Sequence, residues 1–274
     1  MREYREIASD IGFTEGPLWV DGRLLVTSVS RGLIYEVSLD GDGAAVYCET
    51  GGGPNGLSAD AEGTVWVAQN GGVTVPSRST RPVRPGLQRI SDGVVEDIVT
   101  EGCNAPNDLV QGPDGRIWFT DPFGPADQRA GQVRAYDIAS GVVTTMLDGI
   151  QYPNGIAFDQ GGDHLYVAET RTQTILRYSW DGDTLGPGEV FARLRVGSPD
   201  GMAFDVTGRL YVAGAGSDHV LVFDRSGNEV ETVEFGGLTM PTNLAFVGDL
   251  LVVTAGKGGR VITIAGVAEG LALR

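Results

Sequence analysis

The chain has 274 residues, with 36 acidic against 20 basic side chains and a formal charge of −16. An acidic surface repels phosphate backbones, which argues against a nucleic-acid partner, and two cysteines, Cys48 and Cys103, make no disulfide framework and show no metal-ligand spacing. The opening "MREYREIASD" is charged and leads into no apolar signal stretch, and no apolar run is long enough to span a bilayer, so a soluble cytoplasmic protein with no membrane partner is expected.

The 42 glycines are about twice the usual share, without low complexity, and point to many tight turns between short strands. From the N-terminus, "YREIAS" (Tyr4 to Ser9) precedes the first of a series of repeats. The repeats read "EGPLWVDGRLLVTS" from Glu15, "NGLSADAEGTVWVAQ" from Asn55 and "NDLVQGPDGRIWFTD" from Asn107. They continue with "NGIAFDQGGDHLYVAE" from Asn154, "DGMAFDVTGRLYVAG" from Asp200 and "NLAFVGDLLVVTA" from Asn243. Within each copy the apolar period is two, the mark of strands. The fourth copy shows the plan: "GIAF", "HLYVAE", "TILRYSW" and "EVFARL" separated by turn residues. Four short strands in about 45 residues is the blade of a β-propeller. The fold class is therefore all-β, a six-bladed propeller, with residues 1–274 as one domain and no segment of sustained helical period. The last copy supplies only three strands, so Tyr4 to Ser9 is expected to close the ring as its outer strand.

Between the second and third copies lies a surplus, Gly71 to Gly86, rich in proline and arginine. It is a poor strand, and either an ordinary surface loop or a lid over the propeller mouth.

The first residues of the six copies are Glu15, Asn55, Asn107, Asn154, Asp200 and Asn243. Placed at equivalent points, they ring the propeller axis. Asn and Asp before Gly often do no more than cap turns, but glutamate is a poor turn residue. Two carboxylates and several amide oxygens converging on one axis would repel without a cation. Such a set suits a hard divalent metal such as Ca²⁺. His164 and His219 lie within strands and read as structural.

The motifs "FTEGPLW" from Phe13, "NAPND" from Asn104, "IWFTDPFG" from Ile117, "YPNGIAFD" from Tyr152 and "SPDGMAFD" from Ser198 are spread along the whole chain. Through them the chain resembles the SMP-30/gluconolactonase/luciferin-regenerating family of six-bladed propellers. The resemblance implies one divalent cation in the central channel, Ca²⁺ first, with Zn²⁺, Mn²⁺, Mg²⁺ or Fe²⁺ as alternatives. Its implied ligands are Glu15, Asn107, Asn154 and Asp200, with Asn107 serving the metal or the substrate. It also implies hydrolysis of a small lactone or ester, with Asp200 as the catalytic base. On this reading the cation polarises the substrate carbonyl and the oxyanion is stabilised. Asp200 activates water or attacks directly, and Asn104, Asn107 and Asp121 bind the substrate or support the ligands. Two departures stand out. Ala105 and Pro125 occupy places where the sugar-lactonase branch nearest the animal proteins carries Arg and Glu, so "NAPND…FTDP" looks more like the bacterial lactonases. Sugar-acid lactones are then one candidate and less polar lactones another.

Rival schemes find little in the chain. There is no G-x-S-x-G elbow, and Cys103 beside Asn104 has no histidine partner in the sequence pattern. A phosphotriesterase-like hydrolase on the same metal site, and a non-catalytic propeller that binds a protein partner, remain as alternatives. The oligomeric state is left open.

Overall fold

A computed structural model of the chain describes residues 3–91, 93–237 and 239–271. Among these residues the strands form six four-stranded antiparallel sheets. The innermost strands are Thr14–Val20, Pro54–Ala59, Leu109–Gln111, Pro153–Phe158, Ser198–Phe204 and Pro241–Val247. Each packs against the next, and the first packs against the last, so the blades close into a ring. The closing strand is N-terminal: Arg5–Ala8 pairs antiparallel with Arg260–Ile264, and the Tyr4 hydroxyl donates to the Phe235 carbonyl at 2.8 Å. Closure by a strand from the other end of the chain leaves no open seam between the first and last blades. No helix among the described residues is long and apolar enough to cross a membrane.

The core lies between blades. Val110, Trp118 and Val133 of blade three pack on Ile156, Leu165 and Val167 of blade four, and a similar apolar cluster fills each of the other five seams. Strand alternation produces this: the two middle strands of a blade carry apolar side chains on both faces, each face meeting a neighbouring blade. The outer strands are half solvated, as in Val94–Val99. At the far ends of the inner strands an aspartate closes the turn in several blades. Asp60 accepts the Glu62 and Thr64 N–H groups, and Asp159 accepts those of Asp163 and His164.

One local irregularity recurs where the inner strands begin. In blades one, two, four, five and six the pairing with the second strand slips by one residue there. A bulge breaks the two-residue period and re-aims the side chains around it. Its register corrects one sequence expectation. Counting from the paired positions before the slip, Asn55, Asn154 and Asp200 each stand one place on, where blade six has Thr242, not Asn243, while in blade one Glu15 is itself the paired residue. Asn243 stands one place further on, where blades two, four and five have Gly56, Gly155 and Gly201. In blade three Asp108 takes that second place, beside Asn107 at the first. The repeat frame hid this shift because Asn243, like Asn55, Asn107 and Asn154, is an asparagine leading into an apolar strand.

Candidate active site

Glu15, Asn55, Asn107, Asn154 and Asp200 are brought together at the start of the inner strands, and all are buried, as are Asp108 and Asn243. The inner strands are braced where these residues sit. The Thr27 hydroxyl donates to the Asn55 carbonyl, the Thr120 hydroxyl to the Asn154 carbonyl and the Thr242 hydroxyl to the Thr14 carbonyl, at 2.7, 2.7 and 2.8 Å. Each bond ties one blade to the next, so the axial side chains project from a fixed collar.

Three carboxylates share this space with few donors. Burial holds Glu15 well above the usual carboxylate range, Asp200 and Asp108 push it further, and the Gly16 N–H and the Asn243 amide offset this in part. Asp200 is raised by burial and by Asp108, against the Asn154 amide. Asp108 is pushed up to about 7 by burial, although it accepts the Leu109 N–H at 3.0 Å and faces the Asn243 amide at 3.4 Å. The common cause is the transfer of several like charges out of water with too few hydrogen bonds to compensate. The carbonyl oxygen of the Asn55 side chain is also buried with no partner. Unpaired amide oxygen beside under-solvated carboxylates is the donor chemistry of a hard divalent cation. Among the described residues no trio of His, Cys, Asp and Glu is arranged to hold a metal, so a cation here would depend on amide oxygens alongside Glu15 and Asp200.

Asp121, expected to bind the substrate or to support the ligands, faces the backbone of the segment that carries Asn104. It is fully buried, and both its oxygens are engaged: Oδ1 accepts the Asn104 and Ala105 N–H groups at 2.9 and 3.0 Å, and Oδ2 accepts from Arg134 at 3.0 Å. Its work is to hold the Asn104–Asn107 segment in place. Asn104 is partly exposed, and its side-chain amide donates to Asp121 Oδ2 at 3.4 Å. The Cys103 thiol is pushed up to about 12 by burial and Asp121, against Arg134, which makes it a poor nucleophile. His164 is bound at 2.9 Å to the turn aspartate Asp159, consistent with a structural role.

Two features of the mouth escaped the sequence. Tyr152 holds a left-handed backbone, φ 64°, that is costly for an aromatic residue. Its hydroxyl is pushed up to about 12 by burial and Asp200, and it lies beside Thr74, with Arg171 stacked 5.3 Å over its ring. Thr74 belongs to the Gly71 to Gly86 loop. That loop reaches from blade one, where the Arg78 N–H donates to the Ser30 carbonyl at 2.8 Å, to Gly124 of blade three, against which Val73 packs, and to Tyr152 of blade four. It therefore borders the mouth onto which the axial residues open. Asp108 was the other omission. The signal for it was present: it is a carboxylate at a place where three blades put glycine.

Residues 13–256 match the sequence profile described as the SMP-30/Gluconolactonase/LRE-like region. The chain belongs to this family. Among its relatives, a gluconolactonase of Zymomonas mobilis is 27% identical over 252 residues, covering 80% of this chain and 69% of that protein. A solved gluconolactonase of Xanthomonas campestris superposes with a TM-score of 0.82 at 24% identity, covering 96% of this chain and 89% of the other. Regucalcin of Agrobacterium tumefaciens, solved as a calcium-binding protein, superposes with a TM-score of 0.80 at 21% identity, covering 100% and 96%. At these identities the two structures speak for the SMP-30-type propeller fold.

Proposed function

We propose that this protein is a divalent-cation-dependent lactonase that opens a small lactone in the mouth of the propeller. The observation that carries the reading is the meeting of Glu15, Asp200 and amide oxygens on one buried axis with too few donors of their own. The names of the relatives, gluconolactonase among them, support the lactone as substrate class. Glu15, Asn154 and Asp200 would hold the cation, with Asn107 as a further ligand or as a contact to substrate. Ca²⁺ fits an all-oxygen set best, and regucalcin lends support to that choice. When bound, the cation supplies Lewis-acid polarisation of a carbonyl oxygen.

The chain's own residues supply the rest. Asp200, with only the Asn154 amide to hold it, accepts the proton of the attacking water. Asn104 and Asn107 orient the substrate, and Asp121 acts through them by fixing their segment. Tyr152 and the tip of the Gly71 to Gly86 loop limit what enters. The test is a pH-stat screen of aldonolactones, aliphatic lactones and a phosphotriester, run on purified protein with and without chelator. Chelator-sensitive opening of at least one lactone is expected. Turnover of the phosphotriester alone would replace the reading with a phosphotriesterase, and inactivity on all three after Ca²⁺ addition would sink it.

A further inference from the structure

Asp108 and Asn243 stand at the same register in blades three and six, which face each other across the six-membered ring. Their surroundings are copies. The Asp108 N–H donates to Thr120 Oγ1 and the Asn243 N–H to Thr254 Oγ1, each at 3.0 Å. The Leu109 N–H donates to Asp108 Oδ1 at 3.0 Å, and the Leu244 N–H to Asn243 Oδ1 at 2.8 Å. This last bond fixes the amide. With its oxygen turned to the Leu244 N–H, Asn243 presents its NH₂ group to the carboxylates of the channel. That group donates to Asp108 Oδ2 at 3.4 Å and lies against Glu15. The neighbouring blades make room for both side chains. A Cβ on Gly201 would lie 2.0 Å from Asn243 Oδ1, and one on Gly56 would lie 2.3 Å from Asp108 Oδ1.

We infer that Asn243 is a positioning residue: its amide reaches across the channel to hold Glu15 and Asp108 in the orientation in which Glu15 serves a cation. Asn243 is thus a donor to the carboxylates and not itself a ligand. A side chain needed only for packing at this buried place could be apolar, whereas an amide whose two ends are separately engaged orients its partners. The inference rests on the proposed cation site, and it deepens that site by one residue behind the ligands. Partners of this kind typically change metal affinity by about 10–100-fold when removed.

The experiment is calorimetric titration of Ca²⁺ into the wild type and Asn243→Leu, both shown folded by their melting curves. Asn243→Ser, which cannot overpack, serves as a second variant should the leucine not be accommodated. The expected result is a Kd for Ca²⁺ about 10–100-fold weaker in the variants. The loss should be smaller when Asp108→Asn is already present, because the two residues act together. A purely structural role would lower the melting temperature and leave the Kd of the folded protein unchanged. Variants that bind Ca²⁺ within twofold of wild type overturn the inference and leave the proposed cation site standing. A wild type that takes up no Ca²⁺ overturns both.

Discussion

Asp200 and Asp205 sit at opposite ends of one strand, Ser198–Phe204 and the residue that follows it, and both are buried. Their electrostatics run in opposite directions. At the far end burial alone would raise Asp205, yet it accepts the Thr207 N–H and hydroxyl at 2.9 and 2.7 Å and the Arg209 N–H and Nε at 2.9 and 2.7 Å, and its carboxyl is held below the usual range. At the axial end Asp200 has one amide and a neighbouring carboxylate, and its carboxyl is held above that range. Burial therefore does not separate a structural carboxylate from a functional one. The supply of donors does. Asp205 is saturated by its own chain, whereas Asp200, on the proposed reading, keeps lone pairs for a cation that comes from outside.

The contrast predicts different responses at the two ends. Stripping divalent cations from the wild-type protein should abolish lactone turnover, and adding Ca²⁺ should restore it. Asp205→Asn should show the same loss and recovery, which a pH-stat trace with chelator and add-back would check. A smaller effect is expected for Asp200→Asn. Turnover at saturating cation should fall by roughly 10²–10⁴-fold, the usual worth of a positioned base. Its cation-free melting temperature should equal or exceed that of wild type, because one of three crowded carboxylates is gone. An asparagine already occupies the same place in blades two, three and four, so the fold accepts it. A kcat close to wild type would reduce Asp200 to a ligand.

Asp205→Asn should do the reverse, costing about 1.5–3 kcal/mol of stability at neutral pH, the worth of hydrogen bonds to a charged group, while kcat stays near normal. Because its folded pKa is depressed, the Asp205 contribution is present above the unfolded carboxylate pKa and is lost as pH falls through the folded one. The gap between wild type and Asp205→Asn in urea melts should therefore be full at pH 7 and close at strongly acid pH. A gap that persists in acid would mean that shape, not charge, carries the effect. The smallest change is expected at the mouth. Val73→Asp, exposed at the loop tip, should leave stability within about 0.5 kcal/mol and alter relative kcat/KM between small and large lactones. Uniform kcat/KM across the panel would make the segment an ordinary surface loop.

The sequence by itself determined the repeat, the strand period, the six blades and the closing N-terminal strand, because each depends on local alternation and turn chemistry that recur every 40 to 52 residues. It also singled out Glu15 and Asp200, since carboxylates in an otherwise amide-bearing frame are visible without coordinates. The tertiary structure alone decided the rest. A one-residue bulge put Thr242 at the ring position and Asn243 behind it, and a bulge leaves no mark on a frame read by residue type. Asp121 was read from its place in a motif as binding the substrate or supporting the ligands, and only the approach of Arg134 and the Asn104–Ala105 backbone showed where its oxygens are engaged. Asp108 and Asn243 are 135 residues apart in the chain and meet only because a closed ring sets blade three opposite blade six. Strands are specified by neighbours in sequence, whereas the charge balance on the axis is specified by neighbours in space.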